Sequence, residues 1–184
     1  MPTKTIQSSY DVVIVGARCA GAATGMLLAS AGLRVLVFDK SSYGSDTLST
    51  HALMRPAVLL LERWGLLDAL EHSGTPRIRK TTFHYSNETS AEAIEVDIKP
   101  RHGVDALFAP RRTALDRVLV NGAREAGAEV RHGVQMLDLL RSEERRVVGV
   151  RVRDAAGTVR EIQAGLVIGA DGRRSGVARG VGSV

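Results

Sequence analysis

Residues 11–40, DVVIVGARCAGAATGMLLASAGLRVLVFDK, set an apolar run, a glycine-punctuated turn, a small-residue stretch, a second apolar run and an acid in one unbroken order. That order is the layout of a βαβ unit, whose parallel strands need a crossover helix between them. Residues 12–15 read as a buried strand, Gly16 lets the chain turn sharply at its end, and Gly21 stands where the helix begins its close approach to the sheet. Backbone N–H groups at such a helix start have no partner within the helix and carry the positive end of its dipole, so a pyrophosphate can dock there. Ala22, Ala23, Gly25 and Ala29 permit tight packing of helix on sheet, and Gly32 ends the helix. Asp39, followed by Lys40, closes the second strand with a carboxylate placed to accept hydrogen bonds from ribose hydroxyls. The segment is therefore read as dinucleotide-binding.

One position departs from the usual glycine fingerprint, because Arg18 stands where a middle glycine is expected and the match becomes Gly-x-Arg-x-x-Gly. Two readings of Arg18 stand side by side. Its guanidinium can add a charge-assisted contact to phosphate, or its side chain can point into solvent beside a slightly wider turn. Cys19, the single cysteine, reads as a small residue that fits the turn, with a redox or covalent role as the alternative. One cysteine excludes an internal disulfide and any cysteine-built metal cluster.

The chain of 184 residues is long enough for a good core, and its mean hydropathy of −0.01 is that of a globular protein. No apolar stretch reaches the length of a membrane span, and the first ten residues, MPTKTIQSSY, lack the apolar core of a signal peptide; a cytoplasmic location is the expectation. The formal charge of +5 raises the question of nucleic acid. The basic residues are dispersed, as where Arg151 and Arg153 alternate with Val150 and Val152, and aromatic residues are scarce, so no nucleic-acid partner is expected. No Gly-x-Ser-x-Gly elbow and no clustered His/Glu metal set occurs, which argues against hydrolase and metal chemistry. His84, His102 and His132 have no partners at ligand spacing and receive no role.

Past Asp39, residues 41–50 are rich in Ser, Thr and Gly and read as a loop, and residues 55–64 carry leucines at helical spacing up to Gly65. Leu61 and Trp64 are read as core. Residues 81–85 and 94–98 alternate apolar with polar and are predicted to be half-buried antiparallel strands, joined by a polar turn around residues 86–90. They mark the start of a second, substrate-facing layer. Thr113 is a plausible N-cap for a helix over residues 114–126, ended by Gly127 before a short strand at 129–131. Residues 135–140, 147–153 and 158–163 then read as three short strands, the last two joined by a turn at Asp154-Ala155-Ala156-Gly157, followed by a separate apolar strand at 166–168.

At that point the residues carry a specific resemblance. The Gly16–Gly21 turn, the acid Asp39, Arg112-x-x-Leu115-Asp116 at a helix start, and the late Ala170-Asp171-Gly172-x-x-Ser175 together resemble the FAD-dependent monooxygenases of the para-hydroxybenzoate hydroxylase type. The stretch Leu48-Ser-Thr-His-Ala-Leu-Met-Arg-Pro56 leading to Arg63-Trp-Gly-Leu-Leu-Asp68 also resembles that family's first flavin loop and helix. The implied fold is α/β: a glutathione-reductase-like, Rossmann-like FAD-binding fold with a three-stranded β-meander and an incomplete antiparallel substrate sheet. The implied division is residues 1–75 for the FAD-binding βαβ segment with flavin loop and helix, 76–108 for the start of the substrate sheet, and 109–184 for the return to the FAD-binding domain.

The resemblance implies FAD as cofactor and NAD(P)H as electron donor, with dioxygen and a small organic molecule as reactants. Carried over residue by residue, Gly16, Arg18 and Gly21 belong to the pyrophosphate turn, and Asp39 with Lys40 to the adenosine ribose end. Arg112 matches an arginine that contacts FAD, the alternative being an ordinary surface arginine at a helix start. Asp171 and Gly172 match a motif near the flavin phosphates and the nicotinamide donor. His51 occupies a loop position beside the flavin, where it can hydrogen-bond the cofactor or move a proton, or is simply a loop histidine. Family members continue beyond the Asp-Gly motif, so an N-terminal fragment is expected. A related flavin-dependent reductase of the prenyl-lipid reductase type, and a non-catalytic nucleotide-binding remnant, are the alternatives to a monooxygenase.

Overall fold

The computed structural model describes residues 7–49, 51–86 and 91–183. In chain order the elements are β1 (Ser9–Val15), α1 (Cys19–Ser30), β2 (Val35–Asp39), α2 (Arg55–Arg63) and α3 (Leu67–His72). Next come β3 (Arg77–Ile78), β4 (Lys80–Ser86), β5 (Ala91–Asp97), β6 (Leu107–Phe108) and α4 (Arg112–Glu125). The order ends with β7 (Glu129–His132), β8 (Gln135–Arg141), β9 (Val147–Arg153), β10 (Val159–Gly169) and α5 (Gly176–Val181). Two compact units divide the chain, Met1–Ser45 with Leu119–Val184 and Asp46–Val118. Among the described residues no helix is long and apolar enough to cross a membrane.

The first unit is built on a six-stranded sheet of order β7-β2-β1-β10-β9-β8. β7, β2, β1 and β10 run parallel, and β9 and β8 add an antiparallel flank. This is the Rossmann-like α/β fold with its β-meander, as the glycine pattern and the period-two stretches predict. Val12, Val13, Ile14 and Val15 are buried because β1 has a hydrogen-bonded neighbour on each edge. Gly25 brings α1 onto this sheet: a Cβ there would lie 2.5 Å from Val37 Cγ2 and 3.7 Å from Ile14 Cδ1. Val13, Val15, Leu36 and Phe38 join Leu139, Val150, Val152 and Ile162 from the meander in one core. Burying each such side chain contributes about 1.5–3 kcal/mol. Tyr10 closes the same core with its hydroxyl donating to Glu129 at 2.9 Å, and burial beside that carboxylate pushes the phenol up to about 12.

Two expectations, for β10 and for the start of α4, are corrected. Residues 158–163 and 166–168 are not separate strands; β10 runs unbroken from Val159 to Gly169, pairing with β9 over its first half and with β1 over its second. The helix expected from Ala114 starts at Arg112, and the N–H groups of Ala114 and Leu115 bond to the Arg111 carbonyl, so Thr113 lies inside the helix instead of capping it. The ends of α1 and α4 agree with their glycines. At α1, Gly32 N–H returns to Ala29 and Leu33 N–H to Leu28, and at α4 Gly127 returns to Arg124 and Ala128 to Ala123.

The second unit holds α2, α3, the short pair β3–β6 and the ribbon β4–β5. α2 buries Val58 and Leu61, and Trp64, its C-cap, is only partly buried. The expected pairing of the two alternating segments is present, with Phe83 opposite Ile94 and Thr81 opposite Val96. The expected half-burial is not: Phe83, Tyr85, Ile94 and Val96 are 49%, 57%, 45% and 44% exposed. With two strands and no third layer among the described residues of this unit, neither face is covered. The connecting turn lies mostly at residues 87–90, outside the described residues.

Candidate cofactor-binding site

In the first unit, β1 and β2 end side by side, and their ladder extends into the turn as Gly16 N–H bonds the Phe38 carbonyl at 2.7 Å. On the other edge, Ala170 N–H bonds the Val15 carbonyl at 2.7 Å. Gly16 has φ +103°, and a Cβ there would strike the Ala170 carbonyl oxygen. A Cβ on Gly21 would strike the carbonyl oxygen of Gly16. Both glycines are thus required by close backbone approach, which forms a tight cradle at the start of α1.

The first intrahelical bond of α1 runs from Ala22 N–H to the Arg18 carbonyl, so the N–H groups of Ala20 and Gly21 precede the ladder. The N-cap position, Arg18, makes no side-chain capping bond. A twelve-residue helix thus opens at a glycine cradle with no capping bond from the side chain at its N-cap, and these features fit a dinucleotide pyrophosphate. Arg18 itself is extended, with φ −87°, so this position does not demand a glycine. Its guanidinium turns to the loop after β2 and donates to the Ser45 carbonyl at 3.4 Å and hydroxyl at 3.2 Å.

Asp39 ends β2 with both carboxylate oxygens in use. Oδ2 accepts from Ala17 N–H at 2.9 Å and Oδ1 from Ser41 N–H at 2.8 Å. Lys40 is exposed. Opposite Asp39 in the β2–β7 register is His132, whose ring meets Tyr43 edge-on at 5.5 Å, while Arg124 lies 4.9 Å over the Tyr43 ring. Burial and the neighbouring Arg124 hold His132 below its ordinary value, against the pull of Asp39. Ligand spacing in the sequence does not mark these neighbours of His132, because Tyr43 is remote along the chain and Arg124 sits on the preceding helix, α4. Ser45 carries no mark in the sequence either, since what it offers Arg18 is a backbone carbonyl and a single hydroxyl.

Asp171 and Gly172 follow β10 directly. Asp171 accepts from the Ser175 hydroxyl at 2.5 Å and from Gly176 N–H at 2.6 Å, which closes the turn into α5, and Gly172 has φ +83°. The Ser175 hydroxyl in turn accepts from Ala178 N–H as the N-cap of α5.

The second unit contains a cavity of about 600 Å³ lined by Asp46, Thr47, Ser49, His51, Arg111 and Arg112, among others. The loop carrying His51 is pinned where Leu53 N–H bonds the Phe108 carbonyl at 2.6 Å. Ser49 Oγ meets His51 Nδ1 at 2.9 Å, and His51 Nε2 is buried without a hydrogen-bond partner. Arg112 forms a bidentate pair with Asp116 one helical turn on, at 2.9 and 3.2 Å, the two side chains being 18% and 8% exposed. This pairing fixes the guanidinium at the cavity wall. Arg111 reaches Asp46 at 3.6 Å, an exposed pair of little energetic weight. Among the described residues no group of three or more His, Cys, Asp or Glu is arranged to hold a metal.

The chain matches the family model described as FAD binding domain over residues 9–183. It is 31% identical to the menaquinone reductase of Mycobacterium tuberculosis over 97% of its own length, and 29% identical to the digeranylgeranylglycerophospholipid reductase of Methanosarcina acetivorans over 94%. It spans 41% and 40% of those two proteins. Among solved structures, the flavin-dependent brominase Bmp2 superposes with a TM-score of 0.78 at 23% identity, covering 95% of this chain and 41% of that one. The flavin-dependent monooxygenase PieE, in complex with FAD and substrate, gives 0.73 at 21% identity, covering 95% and 32%. The family match, the shared fold and the glycine cradle at the start of α1 lead to one assignment: the chain belongs to the FAD-binding domain family of flavin-dependent oxidoreductases.

Proposed function

We propose that the protein takes electrons from NAD(P)H into FAD and uses them on a small organic substrate in the cytoplasm, with oxygen insertion from dioxygen as the first reading. The observation that carries the flavin part is the α1 cradle, in which Gly16 and Gly21 leave no room for a Cβ and the helix start has no side-chain cap. Bound there, FAD supplies the electron-transfer chemistry, and the chain supplies binding, orientation and exclusion of water. The first-turn N–H groups face the pyrophosphate, and Asp39 with Lys40 stands at the adenosine end. In the second unit, Arg112, its guanidinium held at the cavity wall by Asp116, is assigned a phosphate or carbonyl oxygen of the ligand. His51 stands in the same cavity wall with its ring oriented by Ser49. Asp171 and Gly172 are assigned to the phosphate and nicotinamide side, and residues 76–108 to the substrate-facing layer.

The relatives favour a second reading with the same cofactor. Menaquinone reductase and digeranylgeranylglycerophospholipid reductase are named for reductions, which need no oxygen atom in the product. The test is to purify the protein with its flavin and follow NADH and NADPH oxidation with and without dioxygen. Substrate-dependent turnover that stops under anaerobic conditions supports oxygenation. Anaerobic turnover with a quinone or an unsaturated prenyl lipid selects the reductase, and a colourless protein without affinity for FAD removes both.

A further inference from the structure

We infer that Asp39 is a positioning residue of the pyrophosphate turn, acting through the Ala17 and Ser41 amides, rather than only an acceptor for ribose hydroxyls. The inference deepens the FAD reading above and rests on it for the identity of the ligand.

The two oxygens of Asp39 are divided between two segments. Oδ2 takes the N–H of Ala17, the residue after Gly16 in the phosphate turn, and Oδ1 takes the N–H of Ser41, two residues along its own chain. The second bond is an Asx turn, a geometry that the short aspartate side chain reaches and a glutamate overshoots. Neighbouring backbone bonds hold the frame: Gly16 N–H to Phe38, Val134 N–H to the Asp39 carbonyl, and Gly133 N–H to Ser41. The carboxylate therefore clamps the Ala17 peptide at a fixed distance from the end of β2. Arg18 adds a parallel tie from the next residue to Ser45. With no middle glycine in the turn, these two side chains fix the plane of the peptides that lead into α1, and hence the aim of its first-turn donors. A carboxylate also keeps two charge-assisted bonds that a neutral amide cannot, because Asn has one acceptor oxygen.

The experiment measures amide exchange in the ligand-free chain and calorimetric binding of inorganic pyrophosphate, ADP and FAD, for wild type, Asp39→Asn and Asp39→Glu. Protected Ala17 and Ser41 amides are expected in wild type, and unprotected ones overturn the inference without any variant. In Asp39→Asn one or both should exchange at least tenfold faster while the Val13 amide in β1 stays protected, which separates a local opening from unfolding. Pyrophosphate and ADP should weaken by the same factor, on the order of ten- to a hundredfold. Asp39→Glu, which keeps the charge and the reach to ribose, should also lose pyrophosphate affinity. Variants that bind pyrophosphate as wild type does while losing ADP show a ribose contact alone and overturn the inference. A wild-type chain with both amides protected that binds none of the three ligands leaves the clamp standing and overturns the cofactor reading instead.

Discussion

The six-stranded sheet of the first unit and the β4–β5 ribbon of the second draw on the same residue types, yet one hides them and the other does not. Val13 and Ile14 are fully buried in β1, whereas Phe83 and Ile94, directly opposite each other in the ribbon, are 49% and 45% exposed. β1 has β2 and β10 on its edges and α1 on one face; among the described residues each strand of the ribbon pairs only with the other. Alternation thus specifies a face, and burial depends on what is supplied to cover it. Thr81, Phe83 and Tyr85 with Val96, Ile94 and Glu92 make one side of the ribbon, and Lys80, Thr82 and His84 with Asp97, Glu95 and Ala93 the other.

The most disruptive test of this contrast is Gly21→Val, which drives a branched side chain into the Gly16 carbonyl, backbone that cannot yield. Destabilisation above about 3 kcal/mol in urea unfolding, with loss of ADP binding, is expected. A folded variant with unchanged ADP affinity would remove this turn from the site. Next, Leu36→Ala in β2 should cost about 2–5 kcal/mol, because Leu36 is fully buried in the sheet core. Ile94→Ala in the ribbon should cost no more than about 0.5 kcal/mol. Equal costs for the two would erase the distinction between the regions. The double change Phe83→Ser with Ile94→Ser should leave stability within about 1 kcal/mol and lower binding of a hydrophobic dye, a readout of the uncovered face.

The smallest effect concerns pH. His132 is held below its ordinary value by burial and Arg124, so its ring is neutral in the folded chain, while the unfolded chain takes up a proton as pH falls through about 6.5. Its contribution is therefore full above that pH and is lost as the pH drops through the lower, folded value. The Tm of the wild type should decline on acidification from pH 7 to pH 5, and His132→Gln should flatten part of the decline. An identical slope in the variant would assign the acid sensitivity to other groups.

What was legible in the sequence was local. The order of strand, Gly16, helix, Gly32, strand and Asp39 is read within thirty residues, and the structure follows it nearly residue for residue. The β8–β9–β10 meander was legible for the same reason, and Asp154 anchors its second turn by accepting from Ala156 and Thr158 N–H. What failed depended on partners remote in the chain. β10 looked divided because Gly165 interrupts the alternation, but that glycine lies just past Gln163, where the strand passes from its pairing with β9 to its pairing with β1, and a Cβ there would sit 3.1 Å from the Asp11 carbonyl. The exposure of the ribbon was hidden for the converse reason, since alternation signals a prospective face with or without a cover. Asp39 was placed correctly at the strand end, but its two amide partners are backbone groups and leave no mark in the sequence.

The continuity of β10 also bears on how such a chain can change over generations. One strand serves an antiparallel ladder at its start and a parallel ladder at its end, so inserting or deleting a single residue within Val159–Gly169 would turn every later side chain to the opposite face and shift the Asp171 turn against Gly16. Length variation is expected instead at residues 142–146 and 154–157, where the turns lie outside both ladders. In descendants of this gene the strand is expected to keep its length while these two turns record the insertions and deletions.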